Sequence, residues 1–371
     1  MKIKNIYISS DPLMTKEKEQ FNNRRWLKDI LTRPIKVCSG IVCESFGSSL
    51  VNVNQFMRKE FFKLSNISLN VDDMQFYFSE KDITESSLNY LKSFFKDNSI
   101  IIGYELSEQT RNIFDRIGLK YIDIWLHPIR FYDDILFAFN SNDLILREKL
   151  FKFHLDDEAF YYTADRLKIQ SYKGWRRVVP ELTVNSALFI GQMMNDKSVS
   201  DSGKMLSLLD FKKEFKEKTN TYSTVYYSRH PYIKTEDAEI IDYISSFKNV
   251  KVIDEAPYRL FSSIRLRHVF SISSSAAVEA RYFGKDVDIL HKELVRFGEL
   301  EKNNSSASIY QSFLTPEFWA DLFSHILDIK DFNTSGFISS KDKIRDMLGF
   351  YWSYYDIDKL ENLRNPKKKL R

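Results

Sequence analysis

Short apolar runs alternate along the chain with longer amphipathic runs, and this alternation limits the fold more than any other feature. Such a pattern is typical of βαβ units, in which helices join parallel strands. In the first half we predict strands at Ile3–Ser9, Met74–Phe78, Ser99–Tyr104 and Lys120–Leu126. The second half restarts the pattern with strands at Ser186–Gln192, Ser223–Tyr232, Val250–Asp254, His268–Ser273 and Asp286–Leu290. The sequence therefore predicts an α/β fold with parallel sheets.

The length of the chain indicates more than one domain. At 371 residues, it exceeds what a single hydrophobic core usually holds. The alternation lapses between Phe151 and Asn185 and resumes at Ser186. We therefore predict two Rossmann-like, doubly wound domains that face each other across a cleft, at residues 1–185 and 186–339. The C-terminal segment 340–371 is predicted to return as helices to the first domain.

Composition excludes several classes of protein. The 55 basic and 51 acidic residues nearly balance, whereas a dedicated nucleic-acid binder carries a concentrated basic face. Cys38 and Cys43 stand far from any His or Cys cluster, so neither a disulfide framework nor a zinc site is expected. No run approaches the ~18 apolar residues of a membrane span, and no signal peptide is visible, so we expect a cytoplasmic protein. The basic tail Asn365–Arg371 is either a solvated end or a weak hold on the inner membrane.

Polar residues follow several predicted strands, where parallel sheets bind their ligands. In the second half, Asp196 and Ser198 follow one strand, Arg229 and His230 end another, and the serine run Ser273–Ser275 follows a third. Glu279 stands one helical turn beyond the serines. The first half offers candidates of the same kind, which are Glu105, Asp123, His127, Arg130, Asp133 and Asp134. These positions predict a site in the cleft between the two domains.

Each candidate also has an ordinary structural explanation. The serine run opens a helix, so it is either a simple N-cap or a cradle for a phosphate, which helix N-termini favour. His230 is otherwise a packed residue at a strand end, Asp196 a turn residue, and Glu279 a solvated helix residue. The chain has no G-x-G-x-x-G, no P-loop and no convincing D-x-D pair. Dinucleotide, NTP-hydrolase and metal-dependent sugar-transferase functions therefore lack a motif.

Two short elements resemble those of a known family. "SRHPY" (228–232) and "SISSSAAVEA" (271–280) resemble the His-Pro and Ser-Ser elements of bacterial sialyltransferases and Kdo transferases of the GT-B fold. "IIGYELSE" (101–108) and "LFIGQMMNDKS" (188–198) are more similar to the retaining β-Kdo glycosyltransferases of capsule and O-antigen synthesis. The resemblance extends from about Ser99 to Leu290. It implies a GT-B-like architecture and a CMP-β-Kdo donor bound mainly by the second domain.

The resemblance also implies a role for each candidate. His230 and Ser273–Ser275 would bind the CMP phosphate, and Glu279 the ribose hydroxyls. Asp196 would be the nucleophile and Glu105 the acid/base group of a retaining double displacement. The Kdo carboxylate needs a cation, for which the candidates are Arg130, Arg229 and Lys197. No cofactor or metal is expected beyond the donor, and the partners would be a saccharide acceptor and, peripherally, the membrane or other polysaccharide-assembly enzymes.

Other functions remain open at this stage. An inverting CMP-sialic acid transferase would use the same phosphate-binding elements without a nucleophile. A catalytically silent glycan- or nucleotide-binding module would keep the fold alone. A sugar-nucleotide epimerase or hydrolase of related fold would release its product without an acceptor.

Overall fold

The structure is a computed structural model, and it describes residues 2–15, 17–47, 56–68, 78–172, 180–193, 196–230, 233, 235–297, 305–334 and 342–352. Its strands are β1 (Asn5–Ser10), β2 (Glu44–Ser45), β3 (Ser99–Tyr104), β4 (Lys120–Leu126), β5 (Phe137–Ser141), β6 (Ser186–Ile190), β7 (Ser200–Asp201), β8 (Lys204–Met205), β9 (Thr224–Ser228), β10 (Val250–Ile253), β11 (Leu266–Ser271), β12 (Asp286–Ile289), β13 (Arg296–Phe297) and β14 (Ser305–Ile309). Its helices are α1 (Glu17–Ser39), α2 (Arg58–Lys63), α3 (Glu85–Lys92), α4 (Glu108–Arg116), α5 (Leu144–Phe151), α6 (Glu158–Tyr172), α7 (Lys212–Thr221), α8 (Ala238–Ser245), α9 (Pro257–Ser262), α10 (Ser275–Ala280), α11 (Pro316–Phe323) and α12 (Lys343–Trp352).

The described chain divides into two compact units. Unit 1 comprises Met1–His127, Asp133–Leu155 and Val295–Tyr355. Unit 2 comprises Pro128–Tyr132 and Asp156–Leu294. Each unit is built on its own sheet, so the predicted α/β fold class with two Rossmann-like units is confirmed.

The sheet of unit 1 has the order β13-β14-β5-β4-β3-β1-β2. The strands from β2 to β4 are parallel, whereas β5 pairs antiparallel with both β4 and β14. Strand β3 is buried along its whole length, as expected of a parallel strand covered on both faces. Between β1 and β3 the strand order reverses, which makes this edge of the sheet a topological switch point.

Helices cover both faces of this sheet. On one face, Ile6 and Ile8 of β1 pack in a core that includes Trp26 of α1, Trp319 of α11 and Ile344 of α12. On the other face, Tyr7 packs with phenylalanines of α2 and α4. Neighbouring strand residues point to opposite faces, so one six-residue strand contributes to both cores.

The sheet of unit 2 is entirely parallel and has the order β10-β9-β6-β11-β12. Its central strands carry large aromatic side chains, and Phe189 stacks on Tyr227 and meets the edge of Phe270. The chain runs outward from β6 to β10 and then returns to the other side of β6 with β11. The switch point of this doubly wound sheet therefore lies between β6 and β11.

The boundaries of the two units differ from the predicted ones, which lay between residues 185 and 186 and between residues 339 and 340. Helix α6 belongs to unit 2, because its Phe160 packs against Tyr282 with ring centroids 5.4 Å apart. Strand β14 belongs to unit 1, because it pairs with β5. Neither contact is visible in the alternation of apolar and amphipathic runs, which reports strands and helices but not their partners.

Some predicted elements fall outside the described residues. Of the predicted strand Met74–Phe78, only Phe78 is among the described residues. Of the C-terminal segment, residues 340–341 and 353–371 lie outside them, and the latter range includes the basic tail. The described part of the C-terminal segment, α12, packs in the core of unit 1 through Ile344 and Leu348. Among the helices that the structure describes, none is long and apolar enough to cross a membrane.

Candidate active site

The candidate site of unit 2 lies where β6, β9 and β11 end. Because the three strands are neighbours and parallel, their carboxyl ends share one edge of the sheet. Gln192 follows β6, His230 follows β9 and Ser273 follows β11. The edge includes the switch point between β6 and β11, where sheets of this type bind ligands.

Gln192 connects β6 to β11 across the switch point. Its Oε1 accepts hydrogen bonds from the Ser273 N–H at 2.8 Å and from the Ser271 Oγ at 3.0 Å. Its Nε2 donates to the hydroxyls of Ser198 and Ser273 at 3.1 and 3.2 Å. The amide thus uses both of its polar ends to fix the loops that follow two strands. Sequence reasoning assigned no role to Gln192, although its position directly after a strand gave a signal.

The serine run is divided between structural tasks. Ser273 is buried and donates its hydroxyl to the carbonyl oxygen of Ser198. Ser274 is the N-cap of α10, and its Oγ accepts a hydrogen bond from Ala276 N at 3.3 Å. Ser275, half-buried, is the first residue of the helix. The simple-cap explanation therefore holds for Ser274, and phosphate binding by the run remains a prediction.

Asp196 and His230 lie close enough to interact electrostatically. Burial lowers the pKa of His230, and the negative charge of Asp196 offsets part of this effect. Asp196 itself is exposed, and its Oδ1 accepts a hydrogen bond from Ser198 N at 2.8 Å. It thereby caps the short 3-10 turn Lys197–Val199. The predicted nucleophile thus has a fixed orientation, and Lys197, the predicted carboxylate ligand, stands half-buried beside it.

Arg229 is held in place by a buried acid. Its Nε lies 2.8 Å from Oδ2 of Asp237, which is buried, and the guanidinium side chain stays 38% exposed. The Tyr227 hydroxyl donates to the same oxygen at 3.2 Å. This ion pair is made through Nε of the guanidinium. The sequence pattern did not identify Asp237 as the partner of Arg229.

Glu279 is buried and not, as one explanation had it, a solvated helix residue. Its Oε1 accepts from the backbone N–H groups of Arg130 and Phe131, and the Tyr258 hydroxyl lies 2.9 Å from both carboxylate oxygens. Burial raises the pKa of Glu279 to about 7, although these donors act in the opposite direction. The carboxylate therefore fastens segment 128–132 to α10, and ribose binding remains a prediction. Arg130, predicted as a carboxylate ligand, lies within this contact.

Glu105 lies at the corresponding edge of the sheet of unit 1. It follows β3 directly, at the switch point between β1 and β3, and its N–H donates to the carbonyl oxygen of Ile124 at 2.8 Å. Its φ is +52°, a left-handed conformation that a residue with a Cβ rarely adopts. Sequence reasoning cannot detect such a conformation, because nothing in the run "GYELS" requires it.

The other candidates of the first half serve the structure of unit 1. Buried Asp123 pairs with Arg111 and accepts from Trp125 Nε1 at 2.8 Å. Asp134 accepts from the backbone N–H groups at the start of α12. His127 is buried with its Nε2 3.0 Å from the Ser308 Oγ. Asp133 offers its carbonyl oxygen to the Arg345 side chain. Burial and these protein partners explain the side chains of Asp123, Asp134 and His127 without a ligand.

The described part of the chain contains no group of three or more His, Cys, Asp or Glu residues that would hold a metal ion. At the carboxyl edge of the unit 2 sheet, Asp196 accepts from a backbone N–H, and Asp237 pairs with an arginine.

Comparisons with known proteins give similarity only to solved structures. No protein-family model and no curated protein matches the chain. Thermosulfurimonas dismutans KpsC, beta Kdo 2,7 transferase, is 14% identical over 86% of this chain and 90% of its own, with a TM-score of 0.42. The beta Kdo 2,4 transferase of the same KpsC is 16% identical over 62% and 78%, with a TM-score of 0.34. UDP-GlcNAc 2-epimerase from Methanocaldococcus jannaschii is 13% identical over 94% and 100%, with a TM-score of 0.29. Scores of this size carry no argument about the reaction.

Proposed function

We propose that this protein is a retaining glycosyltransferase that moves Kdo from CMP-β-Kdo to a saccharide acceptor in O-antigen or capsule synthesis. The observation that supports this most is the carboxyl edge of the unit 2 sheet, where Asp196 and His230 interact beside the start of α10. A nucleotide-sugar transferase needs groups for a leaving phosphate and for a reacting sugar at one place, and this edge offers both.

The phosphate would be stabilised by His230 and the serine run. Charge builds up on the leaving phosphate as its bond to the sugar breaks, and preorganised hydrogen-bond donors lower the energy of that state. The lowered pKa makes the imidazole of His230 neutral at pH 7, and it can still donate one N–H. Of the serines, Ser274 and Ser275 lie at the helix start, whereas the Ser273 hydroxyl is engaged with Ser198. We therefore assign the phosphate to His230, Ser274 and Ser275.

The sugar carboxylate would be bound by Arg229. Its partner Asp237 fixes the guanidinium through Nε, so two outer nitrogens can bind a carboxylate with paired hydrogen bonds. Lys197 and Arg130 are the other cations proposed for this group. Glu279 is proposed to reach the ribose hydroxyls, a role that would require it to exchange one of its protein donors.

Two displacements would give retention. In the first, a carboxylate oxygen of Asp196 bonds to the anomeric carbon as the bond to the phosphate breaks, and CMP leaves with the electron pair. In the second, Glu105 takes the proton from an acceptor hydroxyl, whose oxygen bonds to the same carbon while Asp196 leaves. The hydrogen bond from Ser198 N orients the Asp196 carboxylate before the reaction.

An inverting CMP-sialic acid transferase is the second candidate. It is favoured by one observation, which is that Asp196 already caps the turn Lys197–Val199 and needs no further role. A catalytically silent glycan- or nucleotide-binding module would explain the same geometry without turnover.

Product analysis distinguishes these functions. The protein is incubated with CMP-Kdo or CMP-sialic acid and with mannose- and galactose-type acceptors, and the anomeric configuration of the product is read by NMR. We expect transfer of Kdo with retention, and a Kdo-sized mass increase of the intact protein that Asp196→Ala abolishes. The control variant is Asp201→Ala, an exposed acid five residues further on, which should keep the mass increase. An inverted product, transfer of sialic acid only, or no turnover with any acceptor would contradict the proposal.

A further inference from the structure

An arginine is buried beside the end of β1 without an acidic partner. Arg24 of α1 is 7% exposed, and its Nη1 donates to the carbonyl oxygen of Phe46 at 3.1 Å. Burial lowers the pKa of Arg24, and no carboxylate of the described residues offsets this effect. A buried cation is costly unless it is paired, so such a residue is suited to an anion that the chain itself does not supply.

A buried acceptor without a partner lies beside this arginine. Gln20 of α1 is 1% exposed, and its Nε2 donates to the carbonyl oxygens of Pro12 and Thr15. Its Oε1 is buried and has no hydrogen-bond partner within the described ranges. A buried acceptor left unpaired costs about 1–3 kcal/mol in proteins generally, so Gln20 also lacks the donor that its position calls for.

The two groups converge at a glycine. A Cβ built on Gly47 would lie 2.9 Å from the Arg24 Nη1, 3.2 Å from the Gln20 Oε1 and 3.8 Å from the Ser9 Oγ. The φ of Gly47 is +124°, a conformation that side chains disfavour. The absence of a side chain at Gly47 thus lets a cation and an acceptor both approach the same stretch of backbone.

The position in the fold is that of a ligand site. Ser9 lies near the end of β1, and Phe46 continues β2 beside it by donating its N–H to Ile8. Side chains of a helix lean toward its N-terminus, so Arg24 reaches back from the second turn of α1 to the carboxyl edge of the sheet. This edge flanks the switch point between β1 and β3.

We propose that Arg24, Gln20 and Gly47 form an anion site in unit 1 that binds a hydroxy-carboxylate of an acidic sugar. A guanidinium donor meets the carboxylate, and the Gln20 Oε1 accepts from a neighbouring hydroxyl, so the site calls for both groups on one ligand. A neutral sugar lacks the first group. That the ligand is the saccharide acceptor rests on the proposed function, whereas the anion site does not.

Binding without the donor tests the site. The thermal midpoint of the full chain is measured with glucuronate, with glucose and with inorganic phosphate at equal ionic strength. We expect glucuronate to raise the midpoint in a saturable way and glucose to leave it unchanged. Arg24→Met should weaken the glucuronate affinity at least ~10-fold, while Arg25→Met, its exposed neighbour, should not change it. If Arg24→Met does not fold, Arg24→Lys replaces it and should weaken the affinity through loss of paired hydrogen bonds.

Three results would overturn the proposal. They are no midpoint shift with glucuronate, a shift that survives in both Arg24 variants, and phosphate raising the midpoint as much as glucuronate, which would make this a phosphate site. None of these measurements needs CMP-Kdo or turnover. A negative result would therefore contradict the anion site without contradicting the proposed transferase reaction.

Discussion

Glu105 holds a backbone conformation that a glycine would hold more easily. A left-handed φ costs a residue with a Cβ roughly 1–2 kcal/mol, so a glutamate at +52° is retained against a conformational cost. Its N–H donates to the carbonyl oxygen of Ile124, and the residue directly follows β3 at the edge of the sheet where ligands bind. Strain of this kind concentrates at functional positions, which supports Glu105 as the proposed base.

Replacing Glu105 by glycine should separate stability from function. We expect the free energy of unfolding of Glu105→Gly to lie within ~1 kcal/mol of the wild-type value, because the relief of backbone strain offsets the greater flexibility of glycine in the unfolded chain. Turnover with CMP-Kdo should fall ~100-fold or more, as is usual when a general base is lost. Asn185→Gly, at another left-handed position with φ +57°, is the control and should keep full turnover. Full activity of Glu105→Gly in a folded protein would remove the assignment.

His230 should matter for turnover and not for folding. It is half-buried and follows β9 outside the regular elements, so His230→Ala should leave the thermal midpoint nearly unchanged. Loss of a donor to a charged phosphate is worth roughly 1.5–3 kcal/mol, hence at least a ~10-fold loss of turnover. His230→Gln, which keeps an N–H donor, should recover part of it. His325→Ala in unit 1 is the control and should keep full turnover. Equal turnover of all the variants would contradict phosphate binding at this edge and leave helix capping as the explanation of the serine run.

At the scale of elements, apolar runs located most strands but not their partners. The predicted Ser99–Tyr104 and Lys120–Leu126 coincide with β3 and β4. Strand β5 and strand β14 went unpredicted, because they pair antiparallel across more than 160 positions of the chain. A local pattern carries no information about such a partner, and the unit boundaries depend on it.

The candidate site was predicted as positions and not as contacts. The residues after β6, β9 and β11 were found because strand ends are visible in the sequence. The hydrogen-bond partners of these residues were not found from the sequence. Gln192 binds Ser273 over a separation of 81 residues, and Glu279 binds segment 128–132 over a separation of about 150 residues. Hydrogen bonds of that range arise only once the sheet has brought the loops together.

The link between α10 and segment 128–132 should depend on pH. The pKa of Glu279 is about 7 in the folded protein, against 4.5 for an ordinary glutamate. Because the folded state binds this proton more tightly than the unfolded state, protonated Glu279 stabilises the fold fully below pH 4.5, and this stabilisation is lost as the pH rises to about 7. The unfolding free energy of the wild type relative to Glu279→Gln should therefore fall by on the order of 3 kcal/mol between pH 4.5 and 8. Denaturant titrations at several pH values measure this difference. Exposed Glu217→Gln should give no slope, and a flat difference for Glu279→Gln would show that its pKa is ordinary.

At the scale of the molecule, the two units should differ in how completely a single piece of chain contains their sheet. Fragment 156–294 contains every strand of the unit 2 sheet, although it lacks the segment Pro128–Tyr132 of that unit, and it should melt cooperatively. Fragment 1–185 lacks β14 and α11, including the fully buried Phe318 and Trp319. Such side chains contribute roughly 1.5–3 kcal/mol each against a net stability of ~5–15 kcal/mol, so this fragment should not fold. Circular dichroism and thermal melting test both, and a cooperative transition of 1–185 would contradict the assignment of residues 295–355 to unit 1.

Transfer should not require a divalent metal. The phosphate charge is assigned to His230 and serine hydroxyls, whose donors do not depend on an ion. We expect EDTA to leave turnover with CMP-Kdo within twofold of the untreated protein. Loss of activity in EDTA with recovery in Mg²⁺ or Mn²⁺ would contradict this, and addition of Zn-EDTA controls for effects of the chelator itself.

The pairing of β5 with β14 sets an order on how the newly made chain can fold. Residue 141 leaves the ribosome long before residue 305, and at synthesis rates of about 5–20 residues per second the interval is roughly 8–33 s. During that time the edge of β5 has no partner, while the whole unit 2 sheet is synthesised and free to form. The unit in the middle of the chain therefore completes first, and the one that holds the N-terminus waits. We expect the unpaired edge of β5 to be the part of the newly made chain that is most prone to non-native association.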